Sequence, residues 1–174
     1  MLFRSVGLGV MGFEDVLEKL GLSYESPEAA DLIDELLEFI SYHAIDASAD
    51  LAKERGAYPT FKGSGWSKGE LPIDTIDRLE KDRKVKVNIS RQSKLDWEKL
   101  RAKVKKGLRN ATLMAIAPTA NNAHVSGTTP GIDPQFAQIF SRSTLNGKFL
   151  EVNLNLVKDL KRLGIWEDVK EELL

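Results

Sequence analysis

Ala111-Thr112-Leu113-Met114-Ala115-Ile116-Ala117 is a short apolar run bounded by Asn110 and Pro118, and Thr119-Ala120-Asn121-Asn122-Ala123-His124 follows it. An unbroken apolar run of this length suits a strand buried on both faces, as in a parallel sheet covered by helices. The stretch beyond it, through Pro134, is dense in Thr, Asn, Ser, Gly and Pro and lacks periodicity, so it reads as a long loop at the carboxyl end of that strand. Ligands of α/β folds collect at such ends, where small residues let successive backbone N–H groups converge on an anion. Thr119, Asn121 and Asn122 add side-chain donors, which makes this loop a candidate phosphate site, although Asn and Thr are also common turn formers.

Working outward, Ser26-Pro27-Glu28 is a helix start with Ser as cap and Pro in the first turn. Ile33, Leu36, Leu37, Ile40, Ala44, Ala47 and Leu51 then recur at helical spacing until Gly56 ends the helix. Residues 57–72 are rich in Gly, Pro and Ser and read as an extended surface excursion. Asp74 can cap a short helix over 75–82, residues 84–89 could form a brief β-ribbon, and Ser93-Lys94-Leu95-Asp96 resembles a capping box opening a helix that ends at Gly107. Trp97, Leu100, Val104 and Leu108 make its apolar stripe. A second strand is expected at Ile139–Thr144. Asn153 should cap a helix with Leu156, Val157, Leu160 and Leu163 inward and Gly164 as its stop, and a final helix covers about 166–173.

The chain has 174 residues, of which 42% are hydrophobic, enough for one domain with a core. It has no cysteine, which excludes a disulfide scaffold, a zinc-thiolate or iron–sulfur site, and thiol chemistry by this polypeptide itself. No apolar run approaches the roughly 18 residues of a membrane span, so the expectation is a soluble, cytoplasmic protein without a membrane partner. The net charge of −1 hides a basic block, since residues 78–109 carry 13 basic and four acidic side chains. A nucleic-acid surface would want aromatics interleaved for stacking. Only Trp97 qualifies, and it belongs to the apolar stripe, so a solvated face is expected and not a nucleic-acid site.

Gly7-Leu8-Gly9-Val10-Met11-Gly12 is a literal G-x-G-x-x-G, followed by an amphipathic segment from Phe13 to Leu20. In a dinucleotide fold Gly7, Gly9 and Gly12 would let the backbone approach a pyrophosphate. Too few residues precede Gly7 for a central first strand, and no apolar second strand ending in an acid follows Gly21, so tight strand-to-helix packing without a ligand explains the glycines at least as well. His43 falls near the apolar stripe of the long helix, where a core or boundary role is expected, and His124 is alone in the loop; no metal site is expected from them. Asp34 and Glu38 lie on the face expected to be solvated.

Several stretches in the same order resemble one family. Arg4-Ser5-Val6-Gly7-Leu8-Gly9-Val10-Met11-Gly12-Phe13, Leu51-Ala52-Lys53-Glu54-Arg55-Gly56-Ala57-Tyr58, the Arg109-Asn110-Ala111-Thr112 approach to Pro118-Thr119-Ala120, and Leu145-Asn146-Gly147-Lys148-Phe149 with Val152-Asn153 resemble the large (alpha) subunit of class I ribonucleotide reductase. The resemblance implies an α/β fold, helix-rich with a few short buried strands, as one segment (residues 1–174) of the second half of a ten-stranded α/β barrel. It implies that Thr119, Ala120, Asn121 and Asn122 cradle the diphosphate of a ribonucleoside diphosphate, largely through main-chain N–H groups. Asn121 and Asn122 depart from the Ser or Thr more usual there.

The family's radical cysteine, its redox cysteine pair and the Asn and Glu beside the radical site have no counterpart in this chain, nor has its tyrosine relay. No catalytic residue and no cofactor is therefore assigned to it. The implied partners are the remaining part of the large subunit, a radical-generating small subunit that supplies the metal, and the substrate. The alternatives are a non-catalytic interaction module that keeps the fold, or a dinucleotide-binding protein using Gly7, Gly9 and Gly12.

Overall fold

The computed structural model describes residues 2–145 and 147–173. The elements are α1 (Phe13–Leu20), α2 (Pro27–Arg55), α3 (Gly65–Lys68), α4 (Asp74–Arg83), α5 (Trp97–Val104), α6 (Ala120–Ser126), β1 (Ile139–Thr144), β2 (Gly147–Val152), α7 (Leu154–Arg162) and α8 (Trp166–Leu173). The chain divides into two compact units, Met1–Gly9 with Asp31–Ala117, and Val10–Ala30 with Pro118–Leu174.

The first unit is built on α2. Its N-terminus is set by Ser26 Oγ accepting from the Ala29 N–H (3.1 Å), and Gly56 at φ +75° follows its last turn. At 29 residues it extends about 44 Å. The buried side is not the expected stripe. Ile45, Ser48, Ala49 and Ala52 face the core, whereas Ala47 and Leu51 are exposed. Apolar residues occur all round the second half of this helix, so spacing alone leaves the phase open. Burial of Ser48 is possible because its hydroxyl donates to Asn110 Oδ1 (2.9 Å) and accepts from the Asn110 N–H (3.1 Å).

Leu100, Val104 and Leu108 join Ile45, Ala49, Tyr58, Leu71 and Leu113 in the core, with Trp97 packed at its edge. The stripe expected on α5 is thus present, but Asp96, not Ser93, caps the helix by accepting from the Lys99 N–H (2.9 Å). Residues 57–72 are not a surface excursion: Tyr58 is 3% and Leu71 1% exposed, and Trp66 Nε1 donates to the Ala111 carbonyl (2.8 Å). Three large apolar side chains among the glycines and serines outweigh the loop-like composition. Asp74 lies inside α4, not at its cap, with its carboxylate accepting from the Leu71 N–H (2.7 Å) and paired with Arg101. No strand forms over 84–89, and Val85 is 64% exposed.

Among the described residues, 111–117 pair on one side only. Val6 N donates to Thr112 O (3.1 Å), Leu8 N to Leu113 O (2.7 Å) and Ala115 N to Leu8 O (2.9 Å), giving one parallel bridge, Leu8 to Met114. Leu113 is buried while Ile116 is 43% exposed, so the expected burial on both faces is absent among the described residues.

In the second unit β1 and β2 form an antiparallel hairpin with Ile139 opposite Val152 and Thr144 opposite Gly147. Asn153 caps α7 as expected, its Oδ1 accepting from the Asn155 (2.8 Å) and Leu156 (3.4 Å) N–H groups. Leu163 is 66% exposed and does not join the inward face. Phe13 and Leu17 are the buried residues of α1, and Phe13 stacks edge-on against Tyr24 at 6.3 Å.

Candidate functional site

The expected loop after residue 117 contains a helix. Residues 120–126 form α6, with Thr119 at its N-cap and Gly127 closing it at φ +66°. Seven residues are too few to show a period, and the Asn and Ser content reads as turn. The four candidate residues are therefore one helix start. Ala123 N donates to Thr119 O (2.8 Å), the first bond of the helix, which leaves the N–H groups of Ala120, Asn121 and Asn122 without intrahelical acceptors. Thr119 does not cap them; its Oγ1 instead accepts from the Gly131 N–H (2.9 Å). Ala120, Asn121 and Asn122 are exposed and Thr119 is half-buried. The start of α6 thus presents three N–H groups without intrahelical acceptors, and its first turn holds no acidic residue.

α6 is held from behind. Ala123 is buried, and the Thr128 N–H donates to its carbonyl (2.9 Å). Buried Thr129 donates through N (2.6 Å) and Oγ1 (2.9 Å) to Asp15 Oδ2, and its carbonyl accepts from the Gly12 N–H (2.8 Å). The route from α1 to Thr129, through Gly131 to Thr119, links the amphipathic helix after the glycines to the donor cluster. Beside Asp15, burial pushes the Glu14 carboxyl upward, and the charges of Glu18 and Asp15 push it further.

The glycines serve packing. A Cβ on Gly9 would lie 2.3 Å from the Ala115 carbonyl oxygen and one on Gly7 would lie 3.0 Å from Ala115 Cβ. Gly12 holds φ +81° at the N-cap of α1, 3.3 Å from Thr128 Cβ by the same measure. Close approach to the Ala115 backbone accounts for Gly9, the Ala115 side chain crowds Gly7, and the left-handed turn into α1 accounts for Gly12. The contact is between paired extended segments rather than between strand and helix.

His124 is not alone: its Nε2 accepts from Arg142 Nη1 (2.6 Å), and Glu151 Oε1 lies 3.3 Å from each of those nitrogens. Residues 124, 142 and 151 share no sequence period, so nothing in the sequence marks this trio. His43 is exposed, against Phe39 at 4.4 Å between ring centres.

Glu38 is not a free solvated acid. It accepts from the Lys94 N–H (3.0 Å), the Leu95 N–H (3.3 Å) and Trp97 Nε1 (2.8 Å). Burial pushes its carboxyl up, and these three donors with the Lys94 charge outweigh burial and leave it below the usual range. Part of the basic block is likewise answered inside the molecule: Arg91 by Asp77 and Glu80, Arg101 by Asp74 and Glu98, Lys103 by Asp46 and Asp50. Among the described residues no group of three His, Asp or Glu could hold a metal ion, and no helix is long and apolar enough to cross a membrane.

The family model for the ribonucleotide reductase barrel domain matches residues 1–174. The chain belongs to the ribonucleotide reductase family. It is 47% identical over 173 residues to the ribonucleoside-diphosphate reductase subunit alpha of Chlamydia trachomatis, covering 98% of this chain and 16% of that protein. The large subunit of Arabidopsis thaliana is 38% identical over 167 residues, and subunit alpha of Helicobacter pylori 44% over 156, covering 95% and 88% of the chain. Each of these two is covered over 19% of its own length. The chain thus spans less than a fifth of these reductase large subunits, and a helix-rich α/β segment of the ribonucleotide reductase barrel domain is what it contains.

Proposed function

We propose that this segment is the substrate-phosphate-binding part of a ribonucleoside-diphosphate reductase large subunit, with the N–H groups at residues 119–122 receiving the diphosphate. The observation that carries the reading is the α6 start: exposed backbone donors without intrahelical acceptors, Asn121 and Asn122 amides beside them, and no acidic neighbour in the cluster. Main-chain donation does not depend on the side chain, so Asn in place of Ser or Thr leaves the donors in place.

The reductase reaction needs a thiyl radical and cysteine reductants, and this chain has no cysteine. In this reading the cysteines come from the remaining part of the large subunit, within the ten-stranded barrel, and the radical and its metal from the small subunit. The segment's own residues bind and orient: backbone N–H groups hold the phosphates, and the Asp15–Thr129 and Thr119–Gly131 bonds hold the helix start that presents them.

The test is isothermal titration of a ribonucleoside diphosphate into the reconstituted large subunit carrying Asn121→Asp. A negative charge in the first turn favours the helix and repels phosphate, so the fold is kept while binding weakens about tenfold or more. Unchanged affinity would overturn the phosphate assignment. Stable assembly with no diphosphate binding by the unsubstituted protein would favour a non-catalytic interaction module.

A further inference from the structure

Tyr42, Asp46, Asp50 and Lys53 follow one another at intervals of three or four along α2, and Lys99, Lys103 and Lys106 do the same along α5 and the turn after it. That spacing sets each group on one helix face. The two faces border a cavity of about 420 Å³, lined by Tyr42, Asp46, Lys53, Lys99, Lys103 and Lys106. Leu100, 1% exposed, forms part of its wall. All of these residues belong to the first unit.

The charges along the cavity do not balance. Lys103 bridges the two helices, donating to Asp46 and to Asp50 Oδ2 (2.8 Å), and Lys53 donates to the other oxygen of Asp50 (2.8 Å). Burial pushes the Lys103 ammonium down, but its bonds to Asp46 and Asp50 outweigh burial and leave it raised, so it stays charged. The same bonds from Lys103, and then from Lys53, hold the Asp50 carboxyl below its ordinary range. Both carboxylates are thus taken, and among the described residues the Lys99 and Lys106 side chains have neither an ion pair nor a hydrogen bond. Four ammonium groups answer to two carboxylates.

A solvated face accounts for lysines that stand apart in water. It gives no reason for lysines of two segments to line one cavity whose acids are already paired. A cleft lined by one sign of charge focuses its field and concentrates counter-ions, and this one falls in the range of small-ligand sites, about 300–1,000 Å³. Lysine binds phosphate as a point charge on a flexible four-carbon stem, so Lys99 and Lys106 can close on one phosphate from either side of Lys103. A phosphate monoester is close to a dianion at neutral pH and offsets both unanswered ammonium groups, where a carboxylate would offset one. Leu100 and the Tyr42 ring offer apolar surface beside that charge.

We propose that the cavity between α2 and α5 binds a small phosphorylated molecule, with Lys99 and Lys106 holding its phosphate. The site lies within the first unit and does not depend on the assignment of residues 119–122 in the second. Isothermal titration into the full chain carrying Asn121→Asp, which takes any phosphate held at 119–122 out of the signal, tests it with phenyl phosphate, inorganic phosphate, acetate and chloride at matched ionic strength. Phenyl phosphate should bind saturably and more tightly than inorganic phosphate, and acetate and chloride should give no saturable heat. Lys99→Gln and Lys106→Gln, both at exposed positions, should each weaken phenyl phosphate about fivefold with unchanged circular dichroism. Lys81→Gln, which removes an equal charge from α4 outside the cavity, should leave the affinity unaltered. Inorganic phosphate binding as tightly as phenyl phosphate would keep the phosphate site and identify free phosphate as its ligand. Heat that does not saturate, that acetate reproduces, or that Lys81→Gln reduces as much as Lys99→Gln overturns the site.

Discussion

A methyl group at Gly9 would meet the Ala115 carbonyl oxygen at 2.3 Å, a contact that only backbone displacement can relieve. Gly9→Ala should therefore destabilise the chain by about 1–3 kcal/mol, read as a lower urea midpoint at unchanged slope. An unchanged midpoint would mean that the 4–9 and 111–117 segments do not approach as described. Charge acts at the same scale. The hydrogen bond from Arg101 holds the Asp74 carboxyl below its ordinary value, burial opposing it, and the donors around Glu38 do the same there. A depressed carboxyl pKa contributes stability above the unfolded value, and that contribution is lost as pH falls through the folded value. Stability should thus decline from about pH 5 downward, and Asp74→Asn should lower the neutral-pH stability while flattening that decline. Urea midpoints between pH 7 and pH 3 check both signs.

At the scale of elements, the caps of α2 and α7 were legible and the phase of α2 was not. Ser26-Pro27, Asn153 and the Gly56 and Gly164 stops mark α2 and α7 because a cap is a local bond between residues three or fewer apart. Asn153 is buried, accepts two N–H groups at the start of α7 and donates to Glu18 on α1. Asn153→Ala should cost about 1–2 kcal/mol and raise hydrogen exchange over residues 154–157 first. Exchange unaltered there would show that α7 does not need its cap. The inward side of α2 escaped the spacing argument because its core-facing residues, Ile45, Ser48, Ala49 and Ala52, include a serine whose burial depends on Asn110, sixty-two positions away. The helix at 120–126 was hidden because it is too short for a period; the Thr128 N–H closes its last turn locally and the Gly131 N–H ties its first residue from twelve positions away.

For the molecule as a whole, large apolar side chains stay exposed, among them Leu2, Phe3, Val6, Leu8 and Ile116 around the Leu8–Met114 parallel pairing, and Phe136, Phe149 and Leu150 about the hairpin. Unpaired strand edges and apolar faces of this kind favour association. The isolated chain should self-associate at micromolar concentration, seen as a concentration-dependent sedimentation coefficient; a sharp monomeric two-state transition would contradict this. The sequence by itself determined the ends of α2, the start of α7, the β1 strand, the α5 stripe and the family, because these depend on neighbours along the chain or on ordered motifs. Only the tertiary structure decided that residues 57–72 enter the core, that the glycines pack against Ala115 and Thr128, that Glu38 binds the 94–97 turn, and that Arg109 donates to the carbonyls at the end of α2. Those outcomes depend on bonds between residues dozens of positions apart, and composition and local period carry no record of such distances.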